Sequence, residues 1–285
     1  MYYALIMLSV VMFGCCFKLS QTYTRLCGSG FFITLKYLFI TSISNIIILL
    51  IINGFKFEFT LFTLIIAVFS SVNSFLFVFC GLKSLGSINL SLYSLFSMLG
   101  GMLLPFLQGL IFYNEPITIA KIICLCFIII SLSLTLKKDR KNNKAIIYYL
   151  GIFIFNGMSG VLSKLFVSSQ YPKTSATGYS LVCALCSFVI SGVLIFIFRR
   201  KIKKTSVLST VVNSFDAIFN RIANLLLLIS LTHIEASLQY PLVTGGVIIV
   251  STIISFFSNN KPSKCEILSV ITAFISMLCL FIIPI

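Results

Sequence analysis

The chain has 285 residues, 59% of them hydrophobic and only 9% charged, with a formal net charge of +15. A soluble domain carries about 25% charged residues, so a water-facing globular surface is excluded. The basic excess sits in loops between apolar runs, which argues for topology signals or lipid-headgroup contacts and against nucleic acid as a partner.

Apolar runs of about 20 residues read as membrane-spanning helices, and ten follow one another at 2–20, 30–53, 59–82, 87–112, 117–136, 146–168, 175–198, 207–232, 236–258 and 264–285. Transmembrane barrel strands would alternate apolar and polar residues instead. The first span starts at Tyr2 with no basic leader and reads as a retained helix rather than a cleaved signal. Lys18 near its end, and Lys164 at the matching place in the sixth span, read as snorkelling lysines or as attractors of an anionic substrate.

The third span carries Ser70, Asn73 and Ser74, a mild polar face without charge, and Ser70 and Ser74 join Ser94 of the fourth span as candidates for substrate binding or coupling. In the fourth span Ser94 is followed by Gly100, Gly101 and Pro105. The ninth span repeats that punctuation with Pro241, Gly245 and Gly246. Proline removes a backbone hydrogen bond and permits a kink, and paired glycines let backbones approach, so these positions read as hinge or packing sites. Cys183 and Cys186 form a C-x-x-C inside the apolar seventh span, where a buried small hydrophobe is the better reading. No cofactor and no metal site is expected, since the one histidine, His233, has no cysteine at ligand spacing.

The eighth span holds the sharpest chemistry. Ser209, Asn213, Asp216, Asn220 and Asn224 recur at steps of three or four and form one polar stripe, with Arg221 off its edge, an i, i+3 step from Asn224. An ionised side chain at the bilayer centre costs roughly 2.5–3.5 kcal/mol on insertion scales. The stripe is therefore expected to face the bundle interior or a wet cavity. There Asp216 and Arg221 bind substrate, a coupling ion or each other, or the stripe is a structural network that holds helices together. The ninth span opens with Glu235, Gln239 and Tyr240. Glu235 reads either as a coupling group for a proton or cation or as a charge favoured by the helix N-terminus.

The second half repeats the first. LSLYSLFSMLGG (90–101) aligns with EASLQYPLVTGG (235–246) at an offset of 145, and GCCFK (Gly14 to Lys18) pairs with GVLSK (Gly160 to Lys164). Five spans per half make the repeats inverted, which divides the chain at 1–140 and 141–285. Inverted repeats are a common plan of secondary transporters, with the site between them.

The segments GLKSLGSINLSLYSLFSMLGGMLLPFLQGLIFYNEP (81–116) and SLQYPLVTGGVIIVSTIISFFSNNKPSK (237–264) resemble the drug/metabolite transporter superfamily, in its ten-helix EamA-type members. Glu115 matches the acidic residue that follows the fourth helix in that family; its counterpart here is Asn260. The resemblance implies an all-α membrane protein of two inverted five-helix bundles around a central cavity, working by alternating access. The expected function is thus a secondary transporter of a small metabolite in the cell membrane, monomeric or homodimeric, and not an enzyme. Alternatives are a flippase of a lipid-linked intermediate and a non-transporting structural subunit.

Orientation separates two lines of reasoning. The resemblance implies cytoplasmic termini. Loop charges favour external ones: 14 Lys and Arg follow odd-numbered spans, against Lys56, Lys121 and Lys173 in the other loops. A reporter active only in the cytoplasm, fused after Ile285, is expected to stay silent; activity there would reverse the charge-based orientation.

Overall fold

A computed structural model of the chain describes residues 2–86, 90–112, 143–201, 206–231, 236–257 and 262–282, with four single positions between 123 and 130. Among the described residues there are nine long α-helices and no strand: α1 (Tyr2–Cys27), α2 (Phe31–Ile52), α3 (Leu61–Leu85), α4 (Leu90–Phe112), α5 (Asn143–Ser168), α6 (Ala176–Ile197), α7 (Val207–Leu231), α8 (Ala236–Phe256) and α9 (Lys264–Ile282). The expected fifth span, 117–136, lies almost wholly outside the described residues. Six helices, α1 to α6, contain stretches long and apolar enough to cross a membrane, and α8 adds the shorter apolar run Val243–Phe256. The chain is a multi-pass α-helical membrane protein.

The polarity is turned inside out relative to a soluble bundle. On α7, Ser209, Asn213 and Asp216 are buried while Val207, Leu208, Val211, Phe215 and Ile222 lie exposed on the same helix. A lipid-facing exterior explains the pattern, because apolar side chains lose nothing in hydrocarbon while an unpaired polar group there costs several kcal/mol, of order.

Helix ends follow local chemistry. The α1 helix runs seven residues past its expected end at 20, reaching Cys27. Gln21, Tyr23 and Thr24 are buried against the bundle, and the Thr22 and Thr24 hydroxyls bond back to the carbonyls of Lys18 and Ser20. The helix stops at Gly28, whose φ of 79° is left-handed backbone that a side chain disfavours. Lys18 therefore sits inside the helix, bonded to Gln21 Oε1 at 3.2 Å, rather than at a span end as expected. Thr60 caps α3 and Ser175 caps α6, each side chain accepting the backbone N–H three residues on.

Packing joins the two halves throughout. The α1 helix lies against α7 and α8, and α5 lies against α3 and α4 in the same way. The α2 helix packs on α6 and α7, and α6 packs on α2 and α3. The α4 and α8 helices meet each other, with a hydrogen bond of 2.5 Å from Ser251 Oγ to Ser94 Oγ. Exchanging α1–α4 for α5–α8 returns these pairings to themselves. Small residues repeat the relation in detail. An added Cβ on Gly14 would meet Val250 and one on Gly160 would meet Pro105; one on Gly246 would meet Val10 and one on Gly101 would meet Asn156. Each second contact is the first moved along the chain by 145 or 146 residues, with the partners exchanged.

Gly100 is the tightest of these approaches. A Cβ there would lie 2.1 Å from the carbonyl oxygen of Phe153, a backbone atom that cannot turn aside. Gly100→Ala is expected to destabilise the protein by about 1–3 kcal/mol, the usual range for overpacking. Gly192→Ala, whose Cβ would sit 3.4 Å from the Phe39 ring, should change it little. Thermal unfolding in detergent of the two variants side by side checks the contrast; equal melting would overturn it.

Candidate functional site

Five helices, α1, α2, α3, α4 and α7, line a cavity of about 170 Å³ that contains Asp216. A second cavity of about 390 Å³ contains Arg221 and reaches α5 and α6. The two share the side chains Leu38, Thr41, Asn45, Phe77 and Val78, so they are successive chambers along one interior space.

The first chamber is built on the polar stripe of α7. Asp216 is 3% exposed, and its Oδ2 accepts hydrogen bonds from Ser20 Oγ at 2.6 Å and from the Tyr37 hydroxyl. The Ser20 and Tyr37 hydroxyls also touch each other at 3.1 Å. One turn earlier, fully buried Asn213 donates to the Tyr37 carbonyl at 2.8 Å and accepts from Thr41 Oγ1 at 2.9 Å. Hydrogen bonds to a charged group contribute about 1.5–3 kcal/mol each. Two of them are enough to offset the insertion cost of one carboxylate, and no ion pair reaches Asp216 among the described residues.

Arg221 lies five residues further, about 7.5 Å along the helix axis, and enters the second chamber. Its Nε donates to Asn45 Oδ1 at 3.2 Å. Asn224, an i, i+3 step away, turns its Nδ2 to the carbonyl and Oδ1 of Asn220. The i, i+3 step brings the two residues near in sequence, but α2 packs on α7 and offers Arg221 an acceptor from the interior side. Around Arg221 stand the hydroxyls of Ser70, Ser74, Ser159, Ser163, Tyr179 and Ser187. Ser70 and Tyr179 bond each other at 2.7 Å.

The expected stripe is thus divided. Ser209, Asn213 and Asp216 are buried; Asn220 is exposed but lines the Asp216 chamber; Asn224 is exposed and borders neither chamber. Ser70 and Ser74 line the Arg221 chamber, so the third span forms a chamber wall opposite α7. Asn73 instead packs, donating to the Phe155 carbonyl and to Ser159. Ser94 is fully buried, bonded to Ser91 and Ser251, and lines neither chamber. Gly100, Gly101 and Pro105 sit at the α4–α5 contact and Gly246 at the α1–α8 contact; Gly245 is buried in α8. His233 and Glu235 lie outside the described residues, as do the side chains of Gln239, Tyr240 and Pro241.

Sequence reasoning passed over Ser20, Tyr37, Thr41, Asn45 and Tyr179. A signal was present for most of them. Tyr37, Thr41 and Asn45 recur every fourth residue on α2, and Tyr179, Cys183 and Ser187 do so on α6.

The antiparallel pair α2 and α6 closes differently at its two ends. At one end the Phe198 ring stacks edgewise on Phe31 and Phe32. At the other, the link 53–60 is tied to the segment before α6. Thr177 donates to Asn53 Oδ1 at 3.0 Å, the Thr174 amide donates to Thr63 Oγ1 at 3.3 Å, and the Ser175 amide donates to Glu58 Oε2 at 2.6 Å. No known protein family matches the chain, and no curated protein matches it.

The hydrogen bond from the Ser175 amide holds the Glu58 carboxyl below the ordinary carboxylate range, with Lys56 adding to the effect. The sign follows from linkage: a carboxyl depressed in the folded state contributes fully above its unfolded pKa and loses that contribution as pH falls through the lower folded value. Hydrogen exchange at the Ser175 amide is therefore expected to be protected at neutral pH and to lose protection in acid. Glu58→Gln should flatten that profile; an unchanged profile would show that the latch does not depend on the carboxylate.

Proposed function

We infer that the protein is a secondary transporter of a small polar solute, built as two inverted repeats that rock about the interior space between them. The observation that carries this reading is the pair of joined chambers, walled by helices of both halves and holding one buried carboxylate and one guanidinium. A passive membrane scaffold gains nothing from ionisable groups placed in its interior, where each costs free energy.

The repeat relation supports the inverted arrangement over residues 1–140 and 141–285. Helix pairings and glycine contacts recur under exchange of the halves, and the chambers lie where the halves meet. The same plan agrees with the resemblance to EamA-type drug/metabolite transporters drawn from residues 81–116 and 237–264. In this reading Asp216 takes up the coupling proton or cation and Arg221 meets the solute, while Gly100, Gly101 and Gly246 let the helices of the two halves slide in contact. The cell membrane is the proposed location, and a monomer is sufficient because the duplication supplies both halves.

Transport is tested with purified protein in liposomes loaded with a soluble metabolite extract, reading loss of each compound by mass spectrometry against empty liposomes. At least one compound is expected to leave with saturable kinetics, and Asp216→Asn should lower that flux roughly tenfold or more while the variant still elutes as a folded protein. Efflux no faster than from empty liposomes for every compound would defeat the carrier reading.

A further inference from the structure

We propose that the Arg221 chamber is an oxyanion site: it receives a small solute through a carboxylate or phosphate group. The guanidinium carries several N–H donors, and among the described residues only Nε is engaged, with the neutral acceptor Asn45. Among the described residues no carboxylate lines this chamber and Arg221 makes no ion pair. A buried or half-buried arginine is ordinarily paired. An interior guanidinium left without an anion, in a space of about 390 Å³, is therefore short of a counter-charge that the ligand would bring. That volume falls in the range of small-molecule sites, about 300–1,000 Å³.

The rest of the wall fits the same group. Ser70, Ser74, Ser159 and Ser163 stand on α3 and α5, opposite the arginine, and Tyr179 and Ser187 stand on α6. Hydroxyls can donate to the oxygens of an anion and also accept from hydroxyls on the solute. Guanidinium geometry favours two parallel bonds to carboxylate or phosphate. Asp216 is kept out of this chamber by its own donors, Ser20 and Tyr37, so it does not cancel the arginine's charge.

Passage of the anion rests on the carrier reading above; its binding does not. The test uses the purified full-length protein and follows thermal stabilisation by inorganic phosphate, by glycolate, by glycolamide as the neutral counterpart, and by choline. Phosphate or glycolate is expected to stabilise while glycolamide and choline do not. Arg221→Gln should weaken the effect roughly tenfold or more in apparent affinity, and Arg221→Lys should keep part of it. Because the same chemistry is offered by a lipid headgroup, the comparison is repeated in nanodiscs with and without phosphatidylglycerol. Stabilisation by that lipid and by no soluble anion assigns the headgroup; stabilisation by soluble anions without it assigns a free solute.

Cys183, on the same wall, gives a reading in the unmutated protein. A sulfonate-bearing methanethiosulfonate should label it faster than a trimethylammonium-bearing one, each rate normalised to free cysteine. Equal stabilisation by glycolate and glycolamide, no stabilisation by any anion, or no charge preference at Cys183 overturns the site. Anion binding without flux would leave the site standing and sink the carrier. Saturable flux of neutral solutes, unaltered in Arg221→Gln, would do the reverse.

Discussion

A carboxylate inside a membrane bundle must be solvated by the protein itself, and the hydrogen bonds that do this for Asp216 determine how its neighbours are placed. Ser20 comes from α1 and Tyr37 from α2, so one acidic group on α7 fixes three helices at a common depth. Asn213 repeats the tie one turn earlier through Tyr37 and Thr41. Ser20, Tyr37, Thr41 and Asp216 form part of the wall of the first chamber, with Asn220 beside them, and Arg221 lies on the wall of the second.

The two chambers differ in chemistry. Around Asp216 the neighbours are donors close enough to saturate one carboxylate oxygen, and the space is small. Around Arg221 the neighbours are hydroxyls at the far walls, and the space is more than twice as large. A charge already surrounded by its donors suits an exchangeable proton or small cation, whereas a charge with room before it suits a solute. The shared wall of Leu38, Thr41, Asn45, Phe77 and Val78 is where occupancy of one chamber can be felt in the other. Asn45 is the sharpest link, because it lines both and holds the Arg221 Nε.

Much of this was legible from the sequence for a simple physical reason. Apolar length marks a helix that must cross hydrocarbon, and a polar stripe at helical spacing on such a helix must turn inward. Hence the helices lie over the expected spans outside the undescribed region, and Asp216 and Asn213 are buried. What periodicity on one helix does not contain is the neighbour on the next. Spacing on α7 places Arg221 beside Asn224 and near Asp216, yet its hydrogen-bond acceptor, Asn45, comes from α2. Ser94 is polar in sequence, yet it meets Ser251 across the α4–α8 contact and lines neither chamber. The end of α1 was misplaced because Gln21, Tyr23 and Thr24 are polar in sequence but buried in the bundle.

The two ends of the α2–α6 pair are closed by different chemistry. One end is closed by aromatic rings around Phe198, and the other by hydrogen bonds on Glu58, Asn53 and Thr63. Aromatic contact is weakly directional and tolerates sliding, while the polar latch holds only in a narrow geometry. Two closures of unequal stiffness around one chamber will not yield together. On the carrier reading proposed above, the aromatic end gives way while the polar end holds, and the polar end releases only when its hydrogen bonds are exchanged for water. That reading needs such an inequality, since simultaneous opening at both ends would turn the chambers into a channel.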